Sequence, residues 1–273
     1  MSLSHRTKLV HLARKYNALI ISDDVYDLLQ WPTNPKSPIP DTPKAVLPRL
    51  TDIDRGLSAH PSDPKHFGNT ISNSSFSKIT GPGMRTGWTD SMPALSYALS
   101  QCGSSRSGGC PSQISATIIC QLIESGELQS HIQKVLVPAY QRRYLSLISA
   151  IEKYLEPLGV KVSKESLSGR DVAGGYFVWL MLPEGMDGER VAEVAWSEEE
   201  LVVGRGSMFE VAGDEDAARF ASEVRLCFSW VDEEDLVDGV ERLGRAIQLV
   251  KKGGAGESSN GIPSTKKALG EFK

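Results

Sequence analysis

Lys78 ends a hydroxyl-rich stretch, NSSFSK, and Arg85 lies beyond it across the glycine- and proline-containing turn ITGPGM. Lysine amines condense with carbonyls once burial or a nearby cation lowers their pKa. Arg85 offers such a cation, and its planar guanidinium suits a phosphate, to which the hydroxyls of Ser75 and Ser77 would add donors. The pattern predicts a covalent amine beside an anion site. Its rival is an ordinary solvated lysine, the usual state of that residue.

An apolar run, ALIISDD from Ala18 to Asp24, ends in two carboxylates. In an open α/β sheet, ligands bind beyond the carboxyl ends of strands, where Asp23 would meet a cation. Tyr26 can present a phenol to the same cavity if the chain turns sharply. Alternatively, the two acids cap a helix starting near Val25 and Tyr26 packs. Arg225 stands in EVRLCFSW among largely apolar neighbours. A guanidinium buried there needs an anionic partner, either a structural Asp or Glu or the carboxylate of a small acidic ligand. Gly174 and Gly175 allow a strand to pass close to a ligand, or else mark a bulge or turn.

The flanking segments fit this placement. Leu9, Val10, Leu12, Ala13 and Tyr16 have helical spacing ahead of the ALIISDD strand, and TISNSSFSK reads as a short strand running into the lysine turn. Between them, residues 31–69 hold eight prolines, which predicts an extended irregular connection, a surface excursion or a lid. Helices are expected over 93–101, 113–124 and 128–155, the last kinked at Pro138; CGSSRSGGCPS reads as a loop. GGYFVWLML and EVRLCFSW read as strands and 190–196 as helix, and Asp232 is a good N-cap for an amphipathic helix through Val250. The pattern predicts an α/β domain over 1–140, a smaller α+β domain over 141–250 and a disordered polar tail over 251–273.

With 273 residues the chain can bury a sizeable core. A net charge of -4 gives no broad basic field for nucleic acid or an anionic membrane, which favours a small-molecule partner. No apolar run approaches the roughly 20 residues that span a bilayer, and the polar start MSLSHRTK lacks a secretory signal's apolar segment, so a cytoplasmic protein is expected. Cys102, Cys110, Cys120 and Cys227 have the spacing of thiols rather than of a disulfide scaffold. The five histidines show no ligand spacing, and no metal site is expected.

Taken in order, DDVY, SFSKITGPGMRTGW, GGYFVWL and VRLCFSW resemble the class I and II aminotransferases, pyridoxal-phosphate enzymes of fold type I, over about residues 3–250. The most specific element is S-x-S-K followed by arginine. The resemblance implies amino transfer between an amino acid and a 2-oxo acid, pyridoxal 5'-phosphate as cofactor, and a homodimer in the full-length form. Lys78 resembles the lysine that joins the cofactor as a Schiff base and then shuttles the proton at the substrate's α-carbon. Asp23, selected over Asp24 by the D-x-x-Y spacing, resembles the carboxylate that keeps the pyridine nitrogen protonated. Tyr26 resembles the phenol that hydrogen-bonds the cofactor's ring oxygen. Ser75 and Arg85 resemble phosphate ligands, and Arg225 resembles the clamp for the substrate's α-carboxylate. A lyase of the same fold and a non-catalytic remnant that binds cofactor or a partner chain are the alternatives, since cofactor-binding residues do not fix the reaction.

Members of that family usually carry an Asn-Pro-x-Gly motif ahead of the DDVY-like site, and this chain does not; its opening MSLSHRTKLVHLARKY resembles the stretch that follows the motif. The resemblance therefore implies the C-terminal portion of such an enzyme, with an incomplete large-domain sheet, a small α+β domain, and apolar surface left uncovered.

Overall fold

The computed structural model describes residues 1–38, 47–109, 111–162, 172–214 and 216–253. Cys110, part of the proline-rich connection and the expected tail beyond residue 253 lie outside them. Two compact units are present: Met1–Ser149 with Ser163–Val178 and Cys227–Leu236, and Ala150–Val162 with Trp179–Leu226 and Val237–Lys273. They interleave segments where the sequence predicts continuous stretches over 1–140 and 141–250.

In the first unit, α1 (Leu3–Tyr16) begins at Ser2, whose hydroxyl oxygen accepts from the His5 amide at 3.3 Å, and ends at Asn17 in the left-handed region. β1 (Ile20–Asp23) follows. The proline-rich connection then forms β2 (Gln30–Pro32) and α2 (Leu50–Arg55), neither of which the sequence predicts. Leu29 and Trp31 are completely buried there, and their burial outweighs the local proline signal. β3 (Thr70–Ser75) pairs parallel to β1 and antiparallel to β4 (Gly87–Ser91), giving the order β1-β3-β4. β4 also goes beyond the sequence reading. Its start depends on Gly87, where a Cβ would lie 2.6 Å from the Ser74 carbonyl oxygen and force the strands apart.

The helices α3 (Pro93–Ser100) and α5 (Gln113–Glu124) form where expected, with a short α4 (Gly103–Arg106) inside the glycine-serine segment between them. The long helix does not run unbroken. It divides into α6 (Glu127–His131), a π turn over Ile132–Leu136 and α7 (Val137–Tyr154). Pro138 is the physical cause: it has no N–H to donate and its ring crowds the preceding turn, so the ladder widens just before it.

The second unit is built on a four-stranded sheet, β5 (Lys161–Val162), β7 (Phe177–Met181), β9 (Glu223–Cys227) and β8 (Gly204–Arg205), in the order β5-β7-β9-β8. The intervening β6 (Val172–Gly174) pairs with β2 in the first unit. Alternation sets the faces of the sheet: Leu180, Val224 and Leu226 are buried, while Trp179, Glu223 and Arg225 point the other way. α8 (Gly188–Glu199) is capped by Asp187, whose carboxylate accepts from the Glu189 amide at 3.0 Å. α9 (Glu233–Gly253) follows Asp232 and runs past the expected end at Val250, contributing buried Leu243, Ala246 and Ile247. No helix among the described residues is long and apolar enough to cross a membrane.

Candidate active site

The parallel register of β1 and β3 sets Asp23 opposite Asn73, which brings D-x-x-Y alongside S-x-S-K. Beyond Asp23 the chain turns instead of entering a helix, and the Leu29 amide donates to the Tyr26 carbonyl at 2.8 Å. The helix-capping alternative for the two acids is thereby replaced. The Asp24 carboxylate accepts from the hydroxyls of Ser22 and Ser72, each at 2.6 Å, and Asp23, alternating with its neighbours, points to the opposite, exposed face.

Ser75 ends β3 and caps the 3-10 turn Phe76–Lys78; its hydroxyl accepts from the Ser77 amide at 3.0 Å and donates to the Ser77 hydroxyl at 2.8 Å. Phe76 packs against Trp88, the rings tilted by 50° with centroids 4.5 Å apart, which holds the turn against β4. Lys78 is half-buried, with Nζ 5.8 Å from the centre of the Tyr26 ring and 5.5 Å from that of Tyr176. Arg85 is exposed, in the left-handed region at φ +48°, and donates to the Pro82 carbonyl at 3.3 Å. Lys78 and Tyr26 are thus brought together directly. Asp23 and Arg85 face open surface, and neither of two nearby concavities is lined by Asp23, Lys78 or Arg85.

Arg225 belongs to the second unit. It is half-buried rather than enclosed, and its guanidinium lies 4.3 Å from the centre of the Phe209 ring, a cation-π arrangement. Phe209 in turn meets Trp179 edge to face at 5.3 Å. Gly174 and Gly175 serve close approach: a Cβ on Gly174 would lie 2.7 Å from the Leu29 carbonyl oxygen. Gly175 has φ +77°, and a Cβ there would touch the Tyr26 ring at 3.5 Å.

Three functional-looking groups escape sequence reasoning. Tyr176 donates to the Lys78 carbonyl at 2.9 Å and accepts from the Tyr140 hydroxyl at 3.1 Å. Burial first, and the Tyr140 hydrogen bond second, push its phenol well up, so it stays protonated and able to donate. The signal available in sequence was an aromatic residue straight after a glycine pair. The third group is Asp27, in a cavity of about 290 Å³ that Asp24, Arg49, Arg55 and Ser75 also line. Its Oδ2 is buried without a hydrogen-bond partner among the described residues.

Burial, and then the Asp24 charge, push the Asp27 carboxyl from its ordinary 3.8 up to about 7. The folded state holds this proton more tightly than the unfolded state does. Its stabilising contribution is therefore complete below the unfolded pKa and is lost as pH rises through about 7. Wild-type protein should lose thermal stability relative to Asp27→Asn between about pH 4 and about pH 8. Parallel melting curves for the two proteins across that range would refute the assignment.

Among the described residues, no group of three or more His, Cys, Asp or Glu is placed to hold a metal ion. Cys102, Cys120 and Cys227 are free and exposed.

The family model for aminotransferase class I and II matches residues 1–243. An uncharacterized protein of Saccharomyces cerevisiae is 37% identical over 247 residues, 89% of this chain and 51% of that protein. Aromatic-amino-acid aminotransferase 1 of Thermococcus litoralis is 29% identical over 250 residues, 91% of this chain and 50% of the relative. The kynurenine aminotransferase of Pyrococcus horikoshii, solved in complex with PMP, matches with a TM-score of 0.70 at 25% identity, over 91% of this chain and 52% of that one. The chain spans about half the length of the curated relatives it matches. The solved neighbours have the pyridoxal-phosphate-dependent fold type I, of which this chain covers about half.

Proposed function

Because this chain belongs to the class I and II aminotransferases, we propose that it carries the lysine-bearing part of a site that moves an amino group between an amino acid and a 2-oxo acid, with pyridoxal 5'-phosphate as cofactor. The observation that supports this most is the bracketing of the Lys78 amine by the Tyr26 ring at 5.8 Å, which follows from the parallel pairing of β1 and β3. The donor set fits the cofactor's chemistry. The hydroxyls of Ser75 and Ser77 with the guanidinium of Arg85 suit a phosphate, and a carboxylate at the end of β1 suits a protonated ring nitrogen.

When bound, pyridoxal phosphate supplies the aldehyde carbon that takes up the amino group and a ring that draws electrons from the substrate's α-carbon. Lys78 takes and returns the α-carbon proton at Nζ. Asp23 keeps a proton on the ring nitrogen, and Tyr26 orients the ring through its phenol. Ser75 and Arg85 hold the phosphate. Arg225 binds the α-carboxylate of the amino or oxo acid, its guanidinium kept flat by Phe209. A homodimer is part of the same proposal, supported by the apolar side chains that α5 leaves exposed, Ile114, Ile118 and Ile123.

The test pairs isotope-labelled amino acids with unlabelled 2-oxo acids in the presence of the chain and pyridoxal phosphate. Labelled nitrogen should appear in the new amino acid with cofactor and not without it. Ammonia and pyruvate without transfer would replace this reading by the lyase, and bound cofactor with neither product by a non-catalytic binding chain.

A further inference from the structure

We propose that Tyr176, supported by Tyr140, is a positioning residue for the Lys78 amine, an inference that rests on the amino-transfer reading of the same site. In the 3-10 turn, the amides of Ile79 and Thr80 both donate to the Phe76 carbonyl, at 3.0 and 2.8 Å, so the turn does not use the carbonyl of Lys78 itself. Tyr176 satisfies that carbonyl with its phenol at 2.9 Å. The bond ends on the residue that carries the reactive amine, and the ring of the same tyrosine lies 5.5 Å from Nζ. Backbone and side chain of Lys78 are thus held by one residue.

Tyr176 is itself fixed. Its carbonyl accepts from the Phe228 amide at 3.0 Å, and the preceding Gly175 amide donates to the Leu29 carbonyl at 3.0 Å. Its hydroxyl accepts from Tyr140 at 3.1 Å, and Tyr140 stacks on the completely buried Trp31 at 6.3 Å and 27°. A chain of contacts therefore runs from the core to the lysine turn. Without the phenol oxygen, the Lys78 carbonyl loses its partner, the turn rocks, and the amine leaves its bracket between two rings. A displacement of about 1 Å at such a group is enough to slow chemistry by up to about 100-fold.

Two readouts test this. Brief reductive methylation with formaldehyde and borohydride needs no cofactor and reads the exposure of each lysine by peptide mass spectrometry. Tyr176→Phe should raise labelling of Lys78 by about two- to tenfold, the factor for one lost hydrogen bond, with labelling of the exposed Lys36 and Lys65 unchanged. Tyr140→Phe, which keeps the bond to Lys78, should give a smaller rise and keeps the test available if Tyr176→Phe does not fold. With pyridoxal phosphate and substrates, Tyr176→Phe should lower kcat by about tenfold or more at unchanged KM. Unchanged Lys78 labelling in Tyr176→Phe, or an equal rise at all three lysines, overturns the proposal. If wild-type chain transfers no amino group, the functional reading fails, while the labelling comparison still decides whether Tyr176 places the amine.

Discussion

On the proposed reading, replacing Lys78 by alanine should lower amino transfer on the order of 100- to 10,000-fold, the range a positioned acid-base group contributes. It should also remove the borohydride-trapped adduct with pyridoxal phosphate. Both losses would follow from one atom, because on that reading the amine that captures the aldehyde also moves the α-carbon proton. Lys78→Arg separates this from simple charge. Arginine preserves a cation near the rings of Tyr26 and Tyr176, which lie 5.8 and 5.5 Å from Nζ in the wild type. It cannot condense with a carbonyl and stays protonated. The arginine variant should therefore be as inactive as the alanine variant. Transfer at the wild-type rate in either protein, measured with the isotope assay under saturating cofactor, would remove Lys78 from the site.

The sequence exposed what is local. The hydroxyls before Lys78, the D-x-x-Y spacing and the helical period of α5 are all written within a few residues, and each is found where those few residues indicate. Long-range arrangements were not legible. β4 forms because Gly87 lets two strands approach, and β2 because Trp31 finds a buried place among Tyr140, Tyr144 and Phe228, far from it in the chain. Tyr140 and Tyr176 reach the lysine turn from separate stretches, and no spacing rule links them to it. Exposure depends on the same long-range pairing. The apolar neighbours of Arg225 predict burial, yet strand alternation turns it away from the face that Val224 and Leu226 bury. The Asp24 carboxylate, equal to Asp23 in composition, is committed to two serine hydroxyls that only the parallel pairing brings near.

Asp54 carries the second large expected effect, and through structure rather than chemistry. It is completely buried; its Oδ1 accepts from Arg14 Nε at 2.6 Å, and its Oδ2 accepts from the Asn69 amide at 2.6 Å and the Thr70 hydroxyl at 3.1 Å. One carboxylate thus ties α1 and α2 to the start of β3. Asn69 extends the tie, its side chain donating to the Ala18 carbonyl at 2.8 Å and its own carbonyl accepting from the Ile20 amide at 2.9 Å. Asp54→Ala leaves the Arg14 guanidinium, only 11% exposed, without its anion and should cost about 3–5 kcal/mol. Urea unfolding followed by tryptophan fluorescence, to which buried Trp31 contributes, reads that loss. Replacing both partners, Arg14→Met with Asp54→Leu, should recover most of it, because a well-packed apolar pair avoids burying unpaired charge. A loss below about 1 kcal/mol for Asp54→Ala would show that solvent already relieves the pair. The consequence reaches the site because β1 and β3 start at this tie. A one-residue slip between them would invert the faces of β1, carry Asp23 away from its place opposite Asn73, and separate D-x-x-Y from the lysine turn. In Asp54→Ala, cofactor trapping at Lys78 should therefore fall at urea concentrations where the double variant still traps fully.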